Sequence, residues 1–263
     1  LKTKGAKTDK IPSTENVENL LNEKLKKGQA YVWYLGRLGW IIKTRKHLII
    51  TVYDWKDAVP DNPSLANGSL VSKELYNQNM IFLDSYRNKE IAETLVAKEN
   101  YLKTKSSEKN ITYLYSSAPS APSESQHINS IFIGDQERKE VDDVIIERDN
   151  GNWLFISDGI KIFLNGDRQA ETKQFIKDSK NPDISFISVT GGLGDLSDED
   201  IQELEANIEF NKPEVLFFQS IYTNDYLHQE MRKTLKKNGC NVVLPVTKFP
   251  GDCYFYDASS TIQ

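Results

Sequence analysis

The stretch Met80–Glu90, "MIFLDSYRNKE", sets a hydroxyl (Ser85), two cations (Arg87 and Lys89) and a carboxylate (Glu90) directly behind a short apolar run. Ile91, Leu95 and Val96 then keep helical spacing, which places these groups on a strand-to-helix turn, where α/β proteins often position binding and catalytic side chains. A serine nucleophile needs a general base, and neither Ser85 nor Ser220 has a histidine nearby in sequence, although a distant segment could supply one. Cys253, behind Gly251-Asp252 and ahead of aromatic residues, reads as a strand-end thiol and not an activated nucleophile. The chain has three histidines. His47 lies in the basic turn "KTRKH", His127 closes a Ser/Pro loop and His228 falls on a predicted helix; no two share ligand spacing such as i, i+4. The segment "VTGGLGDLSDED" follows a strand and invites a phosphate-loop reading. Asp198, Glu199 and Asp200 at its helix start would repel an anion while suiting the helix dipole, so a plain βα turn is expected.

The elements that must position these groups follow from composition and pattern. The chain of 263 residues can bury one large core or two small ones, and its 12 Tyr, 11 Phe and 4 Trp rule out a disordered polymer. The net charge of −5, from 33 basic and 38 acidic residues spread along the length, offers no phosphate-neutralising tract, so nucleic acid is not an expected partner. No apolar run is long enough to span a bilayer, and a soluble globular protein is expected. Residues 1–16 read as a flexible polar lead-in, left by removal of an upstream signal or anchor from an exported protein or by simple trimming. Residues 17–263 read as a single domain. Cys240 and Cys253 flank neighbouring terminal strands and either form a disulfide or remain two thiols.

Val17, Leu20, Leu21 and Leu25 predict a helix that stops at Gly28. Three β-rich runs follow, Ala30–Leu35, Trp40–Lys43 and His47–Asp54, with Tyr31, Trp33, Tyr34 and Trp40 expected in the core. Strands are further expected at Ile111–Tyr115, Ile128–Ile133, Val141–Arg148, Trp153–Ser157 and Ile160–Leu164, with turns at Gly134-Asp135, Asn150-Gly151 and Asp158-Gly159. The pattern then alternates: helix from Ala170, strand Ile184–Val189, helix from Asp198, strand Val215–Gln219, helix from Asp225, strand Asn241–Val246. Each half supplies antiparallel strands first and helices afterwards. Two sheets face to face with helices outside would satisfy that order.

The runs "VWYLGRLGWIIKTRKHLIITVYDW", "PSLANGSL", "NMIFLDS" and "DGIKIFLNGD" resemble the metallo-β-lactamase-fold hydrolases, in particular the ascorbate-6-phosphate lactonase-like branch, from about Ala30 to Val246. The resemblance implies an α+β fold, an αββα sandwich of two mostly antiparallel sheets. It also implies a site of one or two zinc ions whose bound water attacks a lactone, ester or phosphoester. On that pattern Ser85 and Arg87 stand where the first two histidines of His-x-His-x-Asp-His belong, Lys89 where the aspartate belongs and Glu90 where the third histidine belongs. Arg37 replaces a further histidine, Arg168 follows Asp167 in place of another, Gln219-Ser220 end a strand where a last histidine is expected, and Glu147–Asp149 lack the middle one. Asp167 alone survives as a ligand. Arginine offers no lone pair and lysine normally none, and both repel a dication.

The expectation is therefore a catalytically inactive protein of this fold without a cofactor, its vacated positions filled by Arg37, Asp54, Ser85, Arg87, Lys89, Glu90, Asp167, Arg168, Gln219 and Ser220. The cations would either form a cleft for a small anionic ligand or pair with Asp54, Glu90 and Asp167 as a salt-bridge plug, the plug being preferred on desolvation grounds. A protein partner on the Ser/Pro loop or the polar N-terminus is a further reading. A working hydrolase with rearranged zinc ligands is the alternative.

Overall fold

A computed structural model describes residues 7–11, 17–36, 39–51, 78–83, 89, 92, 111–116, 128–149, 151–165, 181–188, 198–219, 225–240, 242–245 and 252–259. Its elements run β1 (Lys7–Ile11), α1 (Val17–Asn22), β2 (Gln29–Gly36), β3 (Gly39–Lys43), β4 (His47–Ile50), β5 (Asn79–Phe82), β6 (Ile111–Tyr115) and β7 (Ile128–Phe132). They continue β8 (Glu137–Val141), β9 (Val144–Asp149), β10 (Asn152–Ser157), β11 (Ile160–Leu164), β12 (Ile184–Ser188), α2 (Asp198–Asn211), β13 (Val215–Gln219), α3 (Asp225–Lys237) and β14 (Cys253–Asp257). The chain forms two compact units, one of residues 9–134 with 249–256, the other of 135–248 with both chain ends. Among the described residues no helix is long and apolar enough to cross a membrane.

The first unit carries an eight-stranded sheet in the order β1-β14-β2-β3-β4-β5-β6-β7. β2, β3 and β4 form the expected antiparallel meander, with Trp33 opposite Ile41 and a register shift between Tyr34 and Gly36. β4, β5, β6 and β7 then run parallel to one another. β4, β5 and β6 are almost continuously apolar because both their faces are buried, the usual condition of parallel strands, whereas β7 at the sheet edge is partly exposed. On one face Tyr31, Trp33, Ile41, Leu48, Ile50, Met80, Phe82, Ile111 and Tyr113 pack with Leu20, Leu21 and Leu25. The helix predicted to run to Gly28 ends at Asn22, and Leu25 enters the core from beyond it. Lys7–Ile11, inside the stretch expected as a lead-in, is an edge strand beside β14, and Lys10 reaches Asp252 at 2.8 Å. Its polar composition suits a sheet edge, which hides it from an apolar-periodicity reading.

The second unit carries a six-stranded sheet in the order β13-β12-β11-β10-β9-β8. The single strand expected at Val141–Arg148 is two, folded back at Asp142 and Asp143, whose φ values of 50° and 67° make the tight hairpin turn that right-twisted strands favour. β8 was missed because its sequence, Glu137-Arg-Lys-Glu-Val141, alternates half-buried and exposed polar side chains at a sheet edge. β11, β12 and β13 are parallel, and α2 and α3 lay Leu204, Ile208, Met231 and Leu235 on Ile187, Leu216 and Phe218. Of the strand expected at Asn241–Val246, the described residues 242–245 contribute one isolated bridge, Val243 to Val215. The terminal strand is β14, in the other sheet.

The fold class is the expected α+β one. Its two sheets are mixed: of the pairings β2 to β7 and β8 to β13, those joined by long crossovers are parallel and those joined by tight turns antiparallel. Cys240 and Cys253 are free thiols, so the disulfide alternative is not realised.

Candidate functional site

The turns singled out by sequence leave the sheets at strand C-termini. In the eight-stranded sheet, Ile49 and Ile50 of β4 pair with Ile81 and Phe82 of β5, and Phe82 with Tyr113 of β6. The strands end together, with Leu83 N donating to Ile50 O at 3.0 Å, so Thr51 and Leu83 leave one edge side by side. Asp54 and Ser85 lie a few residues further along these two exits. Asp54, Ser85, Arg87 and Glu90 lie outside the described residues, as does Arg37 between β2 and β3. Lys89 is helical and half-buried and Ala92 is helical and fully buried; the other residues of the helix expected after the turn lie outside the described residues.

The six-stranded sheet repeats the arrangement. Leu164 of β11 pairs with Phe186 of β12, Phe186 with Phe217 of β13, and Ser188 with Gln219. Across β10 the same row continues through Trp153 to Arg148 of β9. The end of β9, the exit of β11 towards Asp167 and Arg168, and the end of β13 at Gln219 therefore share one edge. Asp167, Arg168 and Ser220 lie outside the described residues, and for Gln219 only the backbone is described.

Sequence reasoning treated Glu147, Arg148 and Asp149 as a place where a histidine is missing; the structure gives each a role. Glu147 is paired with Arg138, directly opposite it in register. Arg148 lies over the Trp153 ring at 5.7 Å and faces the Asp135 carboxylate at 3.7 Å. Asp149 is 9% exposed and its Oδ1 has no hydrogen-bond partner among the described residues. Burial, with a smaller contribution from Asp135, raises its pKa above the usual aspartate value. Strand alternation puts Asp149 and Glu147 on the face of Leu154, Phe163 and Leu216, which carries the helices, and Arg148 on the opposite face with Trp153, Leu164, Phe186 and Phe217. An Asp-Asn-Gly turn at a strand end was the available signal for Asp149, and alternation along "VIIERD" the signal for Arg148.

The described residues do not assemble the donors of a zinc site of the expected kind. His47 is buried and pairs with Asn79, at the N-terminal end of the β4–β5 pair. The turn carrying Ser85 leaves the opposite end, about 10 Å along the strands. His228 is on α3, and His127 lies outside the described residues. Among the described residues no three His, Cys, Asp or Glu are grouped to hold a metal ion.

No protein-family model and no curated protein matches the chain. Several solved structures do. Igni18, a metallo hydrolase from the archaeon Ignicoccus hospitalis, aligns with 87% of this chain and 99% of its own at 12% identity and a TM-score of 0.56. A diphosphatase of the PhnP family aligns over 87% of this chain and 98% of its own, with 9% identity and a TM-score of 0.48. A Zn-dependent hydrolase of the metallo-β-lactamase superfamily from Thermotoga maritima aligns over 75% and 78%, with 12% identity and a TM-score of 0.37. At such identities the likeness to Igni18 establishes one thing, a fold shared with a metallo hydrolase over nearly its whole length.

Proposed function

We propose that this is a non-catalytic protein of the metallo-β-lactamase fold, akin to the lactonase-like branch, in which charged side chains fill the strand-end positions where active relatives hold metal. The observation that carries the reading is the placement of His47. It is buried at the end of β4 and β5 opposite the Ser85–Glu90 turn, so the β-sheet cannot deliver it to the positions from which imidazoles are missing. The residues proposed for those positions are Arg37, Asp54, Arg87, Lys89 and Glu90 in one unit and Asp167 and Arg168 in the other, and within each unit cation and carboxylate would suit ionic pairing or the receipt of a small carboxylate or phosphate.

The second reading, a metal-dependent hydrolase of a lactone, ester or phosphoester with rearranged ligands, draws on the fold shared with Igni18. Elemental analysis of protein purified without chelator separates the two: metal well below stoichiometry is expected, and one equivalent of Zn, Mn or Fe removed together with a hydrolytic activity would establish the second. Thermal stabilisation by anions that Arg87→Ala abolishes would identify an open cationic pocket, and its absence an internal salt-bridge plug.

A further inference from the structure

Among the described residues, Arg148 is a charged side chain whose surroundings the fold alone does not explain. Its side chain is 18% exposed, yet the one carboxylate in ion-pair range among the described residues, Asp135, stands at 3.7 Å, beyond N–H···O hydrogen-bond reach, and is itself 49% exposed. Glu137, directly opposite Arg148 in register, turns its carboxylate to Lys139 at 2.9 Å. Glu147 is taken by Arg138, and Asp149 points to the other face. What holds the Arg148 guanidinium is an aromatic column, since it lies over Trp153, which stacks on Phe155 at 6.2 Å and 17°.

A guanidinium is always charged and carries five N–H donors in one plane. Stacking on an indole uses its face and leaves those edge donors free to bind a planar or tetrahedral oxyanion through two parallel hydrogen bonds. Holding such a group largely out of water without hydrogen-bonded carboxylates is costly unless a ligand completes it. We infer that Arg148, held on Trp153, is an oxyanion-binding residue of the β9–β11–β13 edge, taking a carboxylate or a phosphate group, with Asp135 as the weak internal competitor. This rests on the reading of that edge as the candidate site, though not on the absence of metal from it.

The test is thermal unfolding of the full chain titrated with inorganic phosphate and, separately, acetate, at ionic strength held constant with sodium chloride. A saturable rise in the midpoint is expected with at least one anion, and which one answers identifies a phosphate or a carboxylate ligand. Arg148→Gln should weaken the apparent affinity by about tenfold or more, Arg148→Lys by less, and Asp135→Asn should strengthen it. A merely structural arginine would lower the ligand-free midpoint in Arg148→Gln and leave the anion-dependent shift unchanged. That result, or no saturable shift with either anion in the unaltered chain, overturns the inference; should Arg148→Gln not fold, an unchanged shift in Asp135→Asn overturns it. Stoichiometric metal would refute the non-catalytic reading while leaving an Arg148-dependent shift standing, so the two fail separately.

Discussion

The Lys43 ammonium reaches from the end of β3 to the C-terminus of α1, donating to Leu20 O at 2.8 Å and Glu23 O at 2.6 Å. These are carbonyls that a helix end leaves without intrahelical partners, so one buried cation caps α1 and ties it to the meander. Glu23 in turn accepts from the Tyr31 hydroxyl at 2.5 Å.

Burial lowers the Lys43 pKa to about 8, the Glu23 carboxylate opposing the shift. Its folded pKa lies below the unfolded value of 10.5, so the folded state releases this proton first. Stability should therefore rise between about pH 8 and about pH 10.5 and be flat in this contribution below pH 8. Lys43→Met should remove the rise, measured by urea unfolding across that range, and at neutral pH should cost about 1–3 kcal/mol through the two lost carbonyl partners.

Asp149 shows the opposite sign. Its carboxyl is raised by burial and by Asp135, so the folded state holds the proton more tightly than the unfolded one and stability falls as pH climbs through the carboxylate range. Asp149→Asn should stabilise the protein near neutrality, by on the order of 1 kcal/mol. The gain should shrink towards pH 3 in denaturant titrations.

Gly239 closes α3 with φ +85°, Cys240 N donating to Leu235 O at 2.9 Å and Gly239 N to Lys236 O at 3.1 Å, the paired bonds of a Schellman cap. No heavy atom lies within 4 Å of where a Cβ would stand. The loss in Gly239→Ala is then conformational alone, about 1 kcal/mol, readable as a lower unfolding midpoint with the denaturant slope unchanged.

The two thiols should differ in reactivity. Cys253 is buried, and burial pushes its thiol well above the ordinary range, whereas Cys240 is half-buried beyond the α3 cap. Thiol titration with an aromatic disulfide reagent should label Cys240 alone in the native protein and both in denaturant, and reductant should leave the unfolding midpoint unchanged.

Phe186 and Phe217 stack at 5.3 Å and 14° across the parallel β12–β13 pair, and both are essentially fully buried. Truncation of Phe217 to Ala should cost about 3–5 kcal/mol, a loss that would distinguish this row from the edge residue Phe132, which is 45% exposed and should lose far less.

The amino-acid sequence by itself determined which segments become strands and helices wherever they are apolar and periodic: Ile111–Tyr115, Ile160–Leu164 and Val215–Gln219 are strands to the residue, because burial on both faces leaves runs that are apolar but for one residue each. It also determined the shortage of imidazoles, since three histidines cannot fill the positions the family pattern requires. Only the tertiary structure decided the polar edge strands β1 and β8, whose partners lie along the chain at β14 and β9 and whose composition carries no periodic signal. It likewise decided the parallel order of β4 to β7 and β11 to β13. That order carries His47 to the end of its sheet opposite the exit at Leu83, and it continues the row of Arg148 and Trp153 through Leu164 to Phe186 and Phe217. Hydrophobic pattern reports burial, a property of each residue in turn, whereas the end of a sheet at which a side chain emerges depends on strand direction, which is set by contacts between distant segments.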